Sequence, residues 1–354
     1  MSEAALPIYW HGSVDAVNED IKKIKKGTVK ELLPSAGGRP IYMIEYGKSN
    51  LPPRKANLSS ALGGKDFSSY ADKSGADYVP TVYIAGCIHG GEFEGTVAIM
   101  NLISLLETGV DLAGNPNDAL KSAAEKVHLI LTPMCNPDGR SHIPFDNFVG
   151  HTFYDLRYYN QGIWKNGELC GWPECKRVHP IKDHVAYLGG YFNDDGVNMM
   201  HDNFFGHNAN ETQNVLDICS EYAPDVAVLC HGGDNSKPHF TTLEYASMNA
   251  KRAMTEIANL TGAKFKDAGI KGLDNILDRF EKRNGEDGAL PSSFNLISAM
   301  HHCCGAPCIT FESNQGLIKE NSVVFNNDQI YLSHTLFFEA LCEWAISKFV
   351  NRKG

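Results

Sequence analysis

Short apolar runs rich in β-branched residues alternate along this chain with longer segments of helical periodicity. That alternation closes off most folds, because strands joined through helices build a sheet covered on both faces. The strand candidates are residues 40–46, 81–87, 127–132, 225–230 and 308–311, each short enough to be a buried strand. Helical patterns fill 92–106, 211–222, 245–260 and 329–349. The first is apolar almost all round, through Phe93, Val97, Ile99, Met100, Leu102, Ile103, Leu105 and Leu106, which suits a helix packed deep against a sheet. The last carries Leu332, Leu336, Phe337, Leu341 and Trp344 near helical spacing and should dock on the core. No internal repeat or low-complexity linker breaks the pattern, so 1–354 reads as a single α/β domain. Residues 140–195 are the exception: rich in aromatics, Gly and His, with little periodicity, they read as a long excursion above the sheet. Loops of that length in compact domains are usually functional.

Composition removes several classes of partner. With 32 Lys+Arg against 42 Asp+Glu the formal charge is −10, the wrong sign for a nucleic-acid phosphate backbone. The longest nearly uncharged stretch, 295–311, contains His301, His302, Gly305 and Pro307, which a bilayer core accepts only at high cost. The first residues carry acids and no apolar signal region, and the ten cysteines are too sparse for a disulfide scaffold. A reduced, cytoplasmic protein with no membrane partner is the expectation; the oligomeric state is not legible. Cys170 with Cys175, and Cys303, Cys304 and Cys308, lack paired CxxC spacing and read as buried thiols or a local disulfide. His301 and His302, taken as neighbours on a strand, would point to opposite faces and so could not both ligate one ion.

The chemistry gathers where strand candidates end. The strand at 81 runs into His89 and Glu92, the strand at 127 into Asn136 and Asp138, DVAVLC into His231, and PCITF into Glu312. In an open α/β sheet ligands bind beyond the carboxyl ends of strands, so these scattered residues can converge. His89 and Glu92, three apart, would share one face of a helix's first turn, with Gly90 and Gly91 easing the sharp turn out of the strand. Two imidazoles and one carboxylate leave a zinc position open for water, the arrangement of a hydrolytic site. His89, Glu92 and His231 are the expected ligands of one zinc ion, and Glu312 is the carboxylate expected to take the water's proton.

Taken in order, these segments resemble the zinc carboxypeptidases of the carboxypeptidase A type. HGGE resembles the family's HxxE motif, NPDG at 136–139 its next segment, and GVNMMHDNF at 196–204 its GVDLNRNF stretch. Glu211 and Thr212, His231, and finally Phe311 with Glu312 follow in family order. The resemblance implies a three-layer α/β/α sandwich on a mixed, mainly parallel twisted sheet. It also implies zinc-dependent cleavage of an amide bond in a peptide or modified peptide, promoted by Glu312. Trp164, Lys165 and Asn166 resemble the family's Trp-Arg-Lys stretch, which would make Lys165 the cation facing the scissile carbonyl.

The departures bear on the substrate. Where the family's Asn-Arg pair grips a terminal carboxylate, this chain has Met200 and His201, with Asn198 earlier in the same segment. A histidine replaces an arginine fork only in part, so a substitute cation is expected from Arg140, Arg157 or Arg177. The family's mobile tyrosine has no counterpart between Gly262 and Glu312. Ser293, Phe294 and Asn295 should line a pocket for a neutral or apolar side chain. Two other readings stand beside the metallocarboxypeptidase. One is a deacylase of N-acyl amino acids resembling aspartoacylase or succinylglutamate desuccinylase. The other is a zinc-binding pseudo-enzyme. HExxH, GxSxG and GxxxxGK[ST] are absent, which removes other hydrolase and P-loop classes.

Overall fold

The computed structural model describes residues 6–233, 237–241, 245–272, 294–318 and 324–350. The strands are β1 (Thr28–Glu31), β2 (Tyr42–Tyr46), β3 (Thr81–Ala85), β4 (His128–Thr132), β5 (Ile163–Trp164), β6 (Val185–Tyr187), β7 (Val226–Gly233), β8 (His239–Phe240) and β9 (Cys308–Asn314). Seven of them form one sheet in the order β1-β2-β4-β3-β7-β9-β8, while β5 and β6 pair separately. The central strands β4, β3, β7 and β9 run parallel and the outer ones antiparallel, giving the expected mixed, mainly parallel sheet. Every residue of β3 and β4 is buried, which explains why these strands read as continuous apolar runs rather than alternating ones.

Helices cover both faces. The helix Asn327–Val350 packs with Glu94–Thr108, Asp118–Ala124 and Met248–Asp267, while Asn210–Tyr222 and Leu296–Cys304 pack together elsewhere on the sheet. Two expectations shift. Helix Glu94–Thr108 begins two residues later than the pattern at Glu92 suggested, so His89 and Glu92 lie in the turn that precedes it. His301 and His302 sit on the helix Leu296–Cys304, not on a strand: Asn295 caps this helix through the amide of Ser298, and strand pairing starts only after Gly305 and Pro307. The His301 ring bonds the Ala306 carbonyl at 2.6 Å and the His302 ring the Ser298 carbonyl at 2.8 Å. All ten cysteines are free thiols, Cys170 and Cys175 included. No helix among the described residues is long and apolar enough to cross a membrane.

The excursion carries little regular structure beyond the β5–β6 pair and short helical turns. It is tied down through Asp138, whose fully buried carboxylate accepts from the Ser35 hydroxyl, the Gly37 amide and the Arg39 guanidinium. Arg39 also reaches Asp194, which binds the His142 ring at 2.7 Å. Asn136 caps the short helix Pro137–Ser141 by accepting from the Gly139 amide. In the NPDG segment, then, the polar side chains hold the excursion's root to the body of the fold.

Candidate metal centre

Beyond the end of β3 the chain turns through Gly90 and Gly91 before helix Glu94–Thr108. The Glu92 amide donates to the His89 carbonyl at 3.0 Å, closing a turn that puts both side chains on one side. Gly90 is required by contact: a Cβ there would lie 1.9 Å from the Gly139 carbonyl carbon. His231 comes from β7, so its position is set by a parallel ladder. One oxygen of Glu92 meets the Nδ1 atoms of both histidines, at 3.0 Å for His89 and 2.7 Å for His231. All three side chains are buried, and their candidate ligand atoms lie within 4.8 Å of one another. Among the described residues no other group of three His, Cys, Asp or Glu comes as close together.

The hydrogen bonds fix which nitrogen of His89 is free. Asn198 Oδ1 accepts from the Met200 amide at 2.9 Å, so it is the oxygen of this side chain that faces His89 Nε2 at 3.2 Å. Nε2 therefore donates, and the lone pair of Nδ1 points at the Glu92 oxygen, where a cation would sit. Buried and with no hydrogen-bond partner among the described residues, His231 Nε2 is left as the protonated side of a ring whose Nδ1 faces the same point.

The electrostatics suit a cation. Burial alone would raise the Glu92 carboxyl, but the His89 and His231 rings outweigh it and hold the group below the usual carboxylate range. Burial pushes His89 down, against the pull of Glu92; for His231 the same burial is outweighed by Glu92, and its pKa rises. Behind them burial lifts Glu94 to about 8, and one of its oxygens has no hydrogen-bond partner among the described residues, so this carboxyl is mostly protonated near pH 7. Borderline divalent ions favour two imidazoles and a carboxylate, and the donor set fits zinc.

The remaining residues divide sharply. Glu312 is paired directly with His231 in the parallel register of β7 and β9, which points both side chains to the same face, and its charge acts on His231, Tyr191 and Lys176. Asn198 supports His89, as described. Half-buried His201 ends the turn Met199–His201, and burial together with Lys176, His89 and His179 pushes it down to about 3, so it is neutral near pH 7. Phe294 packs with Phe204, Phe205, Tyr245 and His302, at ring separations of 5.3 to 5.9 Å. Ser293 lies outside the described residues.

Two of the expected cations are not brought to the cluster. Lys165 is exposed beside the short β5 strand, its amide bonded to the His184 carbonyl. Arg140 is buried instead among the carbonyls of Gly12, Ile143 and Phe145, paired with Asp146, and laid 4.6 Å from the Phe93 ring centroid. Its donors are consumed because the excursion must be anchored to the N-terminal segment. Arg157 stacks on Phe153 and exposed Arg177 pairs with Glu174. The cation that does act on the cluster is Lys176, which sequence reasoning missed. Burial lowers it, against the charges of Cys175, Glu312 and Glu92, and its ammonium lies 4.8 Å from the Trp172 ring centroid. The only signal was a second tryptophan with a lysine four residues on, Trp172 and Lys176, and nothing in the local pattern said that this lysine would face inward.

The sequence profile of the zinc carboxypeptidase family matches residues 25–236, more than half of the chain. The chain belongs to that family, whose members are zinc metallopeptidases. Solved structures agree on the fold. A metallo-carboxypeptidase from Burkholderia cenocepacia shares 15% identity over 94% of this chain and 69% of its own, with a TM-score of 0.57. One from Pseudomonas aeruginosa, in complex with (2-guanidinoethylmercapto)succinic acid, shares 13% over 95% and 68%, with a TM-score of 0.56. Carboxypeptidase A from Helicoverpa armigera shares 15% over 100% and 78%, with a TM-score of 0.54. No curated protein matches the sequence. The profile match stops short of Glu312, whose place rests on the β7–β9 register alone.

Proposed function

We propose that the protein hydrolyses an amide bond in a peptide or modified peptide, using one zinc ion held by His89, Glu92 and His231. The observation that carries this reading is the meeting of three buried ligand atoms within 4.8 Å, one strand away from Glu312. When bound, zinc would bring the pKa of a water to about 7 and polarise the carbonyl. Glu312 accepts the proton of the attacking water and returns it to the leaving nitrogen, as a carboxylate beside but outside the ligand set can. Lys176 faces the negative charge that develops on the carbonyl oxygen, in the role the sequence suggested for Lys165. Asn198 holds the His89 ring, and Phe294 with its aromatic neighbours offers an apolar wall for the substrate.

The substrate's terminal group is the finer question. Buried Met200 and neutral His201 supply no permanent charge for a free carboxylate, and Arg140 is committed elsewhere. We infer a preference for peptides whose terminus is blocked or modified. The decisive experiment pairs metal analysis with Glu312→Gln and a panel of blocked peptides, free peptides and N-acyl amino acids. About one zinc per chain should survive the substitution while turnover falls about 10²- to 10⁴-fold. Unchanged turnover in Glu312→Gln, or a purified protein without a divalent ion, would refute the mechanism. Faster cleavage of the N-acyl amino acids would move the chain to the deacylase reading.

A further inference from the structure

His89, like Glu92, has neither strand nor helix behind it. It lies in a bend between β3 and helix Glu94–Thr108, outside any ladder or helical turn. Its ring has two in-plane neighbours, the Glu92 oxygen that its Nδ1 faces and the Asn198 oxygen that its Nε2 binds, 3.0 and 3.2 Å away. Two in-plane contacts define a line, and a ring held only along a line can still rock about it. A third contact off that line is needed to fix the plane, and with it the direction of the Nδ1 lone pair.

Tyr191 supplies that contact. Its ring lies flat on His89, with centroids 3.6 Å apart and planes 11° apart, and the residue is 9% exposed. His231, set by β7, meets His89 edge-on at 4.9 Å and 69° and cannot act as a plate. The stack is built into the backbone. The Gly90 amide donates to the Gly190 carbonyl at 2.6 Å, stitching the two loops together one residue from each ring. The Tyr191 amide donates to Asn160 at 2.7 Å and the Gly190 amide to Tyr159 at 2.9 Å, which fixes the loop from its far side. A Cβ on Gly190 would come within 2.7 Å of the Ile143 side chain and 2.8 Å of the Gly139 carbonyl oxygen, so the close approach depends on glycine there.

We propose that Tyr191 is a positioning residue of the metal centre, a flat plate that sets the plane of the His89 ring and thereby aims its Nδ1 at the ion. This rests on the reading of His89, Glu92 and His231 as ligands. The required feature is the flat ring, not the hydroxyl, so Tyr191→Phe should behave as wild type, whereas Tyr191→Met and Tyr191→Leu fill space without a plate.

The test is zinc affinity by competition with a chromophoric chelator, together with the visible absorption of the cobalt-substituted protein. Wild type and Tyr191→Phe should agree within about twofold. The Met and Leu variants should bind about 10- to 100-fold more weakly, the usual cost of losing a ligand's support, and show an altered cobalt spectrum. Circular dichroism identifies a variant that has lost its fold; Met and Leu differ in shape, so either one that folds suffices, and if both unfold the cobalt spectrum of Tyr191→Phe decides, a change from wild type counting against the plate. Wild-type affinity and spectrum in a folded Met or Leu variant would overturn the inference, as would Tyr191→Phe weakening zinc as much as they do. A His231→Ala control separates the two levels: if it binds zinc as tightly as wild type, the ligand assignment itself fails and the plate falls with it.

Discussion

In β7 and β9 a parallel ladder runs without interruption from Ala227 paired with Cys308 to Gly233 paired with Asn314, and His231 and Glu312 are simply one rung of it. The excursion above holds its chemistry differently. Lys176 ends a short turn closed by its own amide on the Pro173 carbonyl, and Tyr191 sits on a turn held by single hydrogen bonds between loops and by glycines that let backbones touch. A ladder places a side chain through many bonds that share the load, so losing one neighbour moves it little. A turn places a side chain through one or two contacts, and each is decisive. The rim therefore fixes the centre's position, and the excursion adjusts its orientation and charge.

The strongest test of that contrast is Lys176. If the excursion supplies the working cation, Lys176→Met should lower kcat about 10²- to 10³-fold, the scale for removing one donor aimed at a developing oxyanion. Zinc content should not change, because the proposed ligands lie at the rim. A variant with wild-type kcat would break the contrast, leaving the excursion as a cover only.

The ladder side makes its own prediction, through a group that supports β9 from behind. His334, on helix Asn327–Val350, is fully buried, bonds the Ile330 carbonyl at 3.0 Å and meets the Phe311 ring edge-on at 5.1 Å. Burial pushes its imidazole from 6.5 down to about 4. Between those values the unfolded chain binds a proton that the folded chain does not. Stability from this group is therefore complete above pH 6.5 and lost as pH falls through 4. At about 1.4 kcal/mol per pKa unit the loss comes to about 3 kcal/mol. Denaturant titrations across that range should show it, and His334→Leu should flatten the slope; an equal slope in both proteins would assign the acid sensitivity elsewhere.

What the sequence disclosed follows the same division. Strand ends were legible because period and burial are local: Thr81–Ala85 and His128–Thr132 are apolar throughout, and the polar residue that follows such a run must lie at the rim. That was enough to bring His89, Glu92, His231 and Glu312 together on paper. His301 and His302 were placed on a strand because an uncharged run suits a buried helix as well as a strand, and the Asn295 cap was the overlooked clue. Arg140 and Lys165 lie away from the cluster for a different reason. Where a loop cation ends up depends on which distant carbonyls need donors, as Gly12 and Phe145 do for Arg140, and no periodicity encodes that.

The smallest expected effect is the sharpest control, because it compares two lysines within one excursion. Lys165 directly follows Trp164 and Lys176 comes four residues after Trp172, yet it is the second lysine that lies over its tryptophan and feels the charges of Glu312 and Glu92. The first is exposed, and among the described residues no side-chain hydrogen bond or ion pair holds it in one conformation. A solvated lysine held so loosely should contribute almost nothing, because the surrounding water screens its charge and the chain entropy of ordering it is unrecovered. Lys165→Met should accordingly leave kcat/KM within about twofold of wild type and stability within about 0.5 kcal/mol. If Lys165→Met instead damages kcat while Lys176→Met does not, the excursion must rearrange when substrate binds, and the cation the sequence first suggested would be the one that meets the carbonyl.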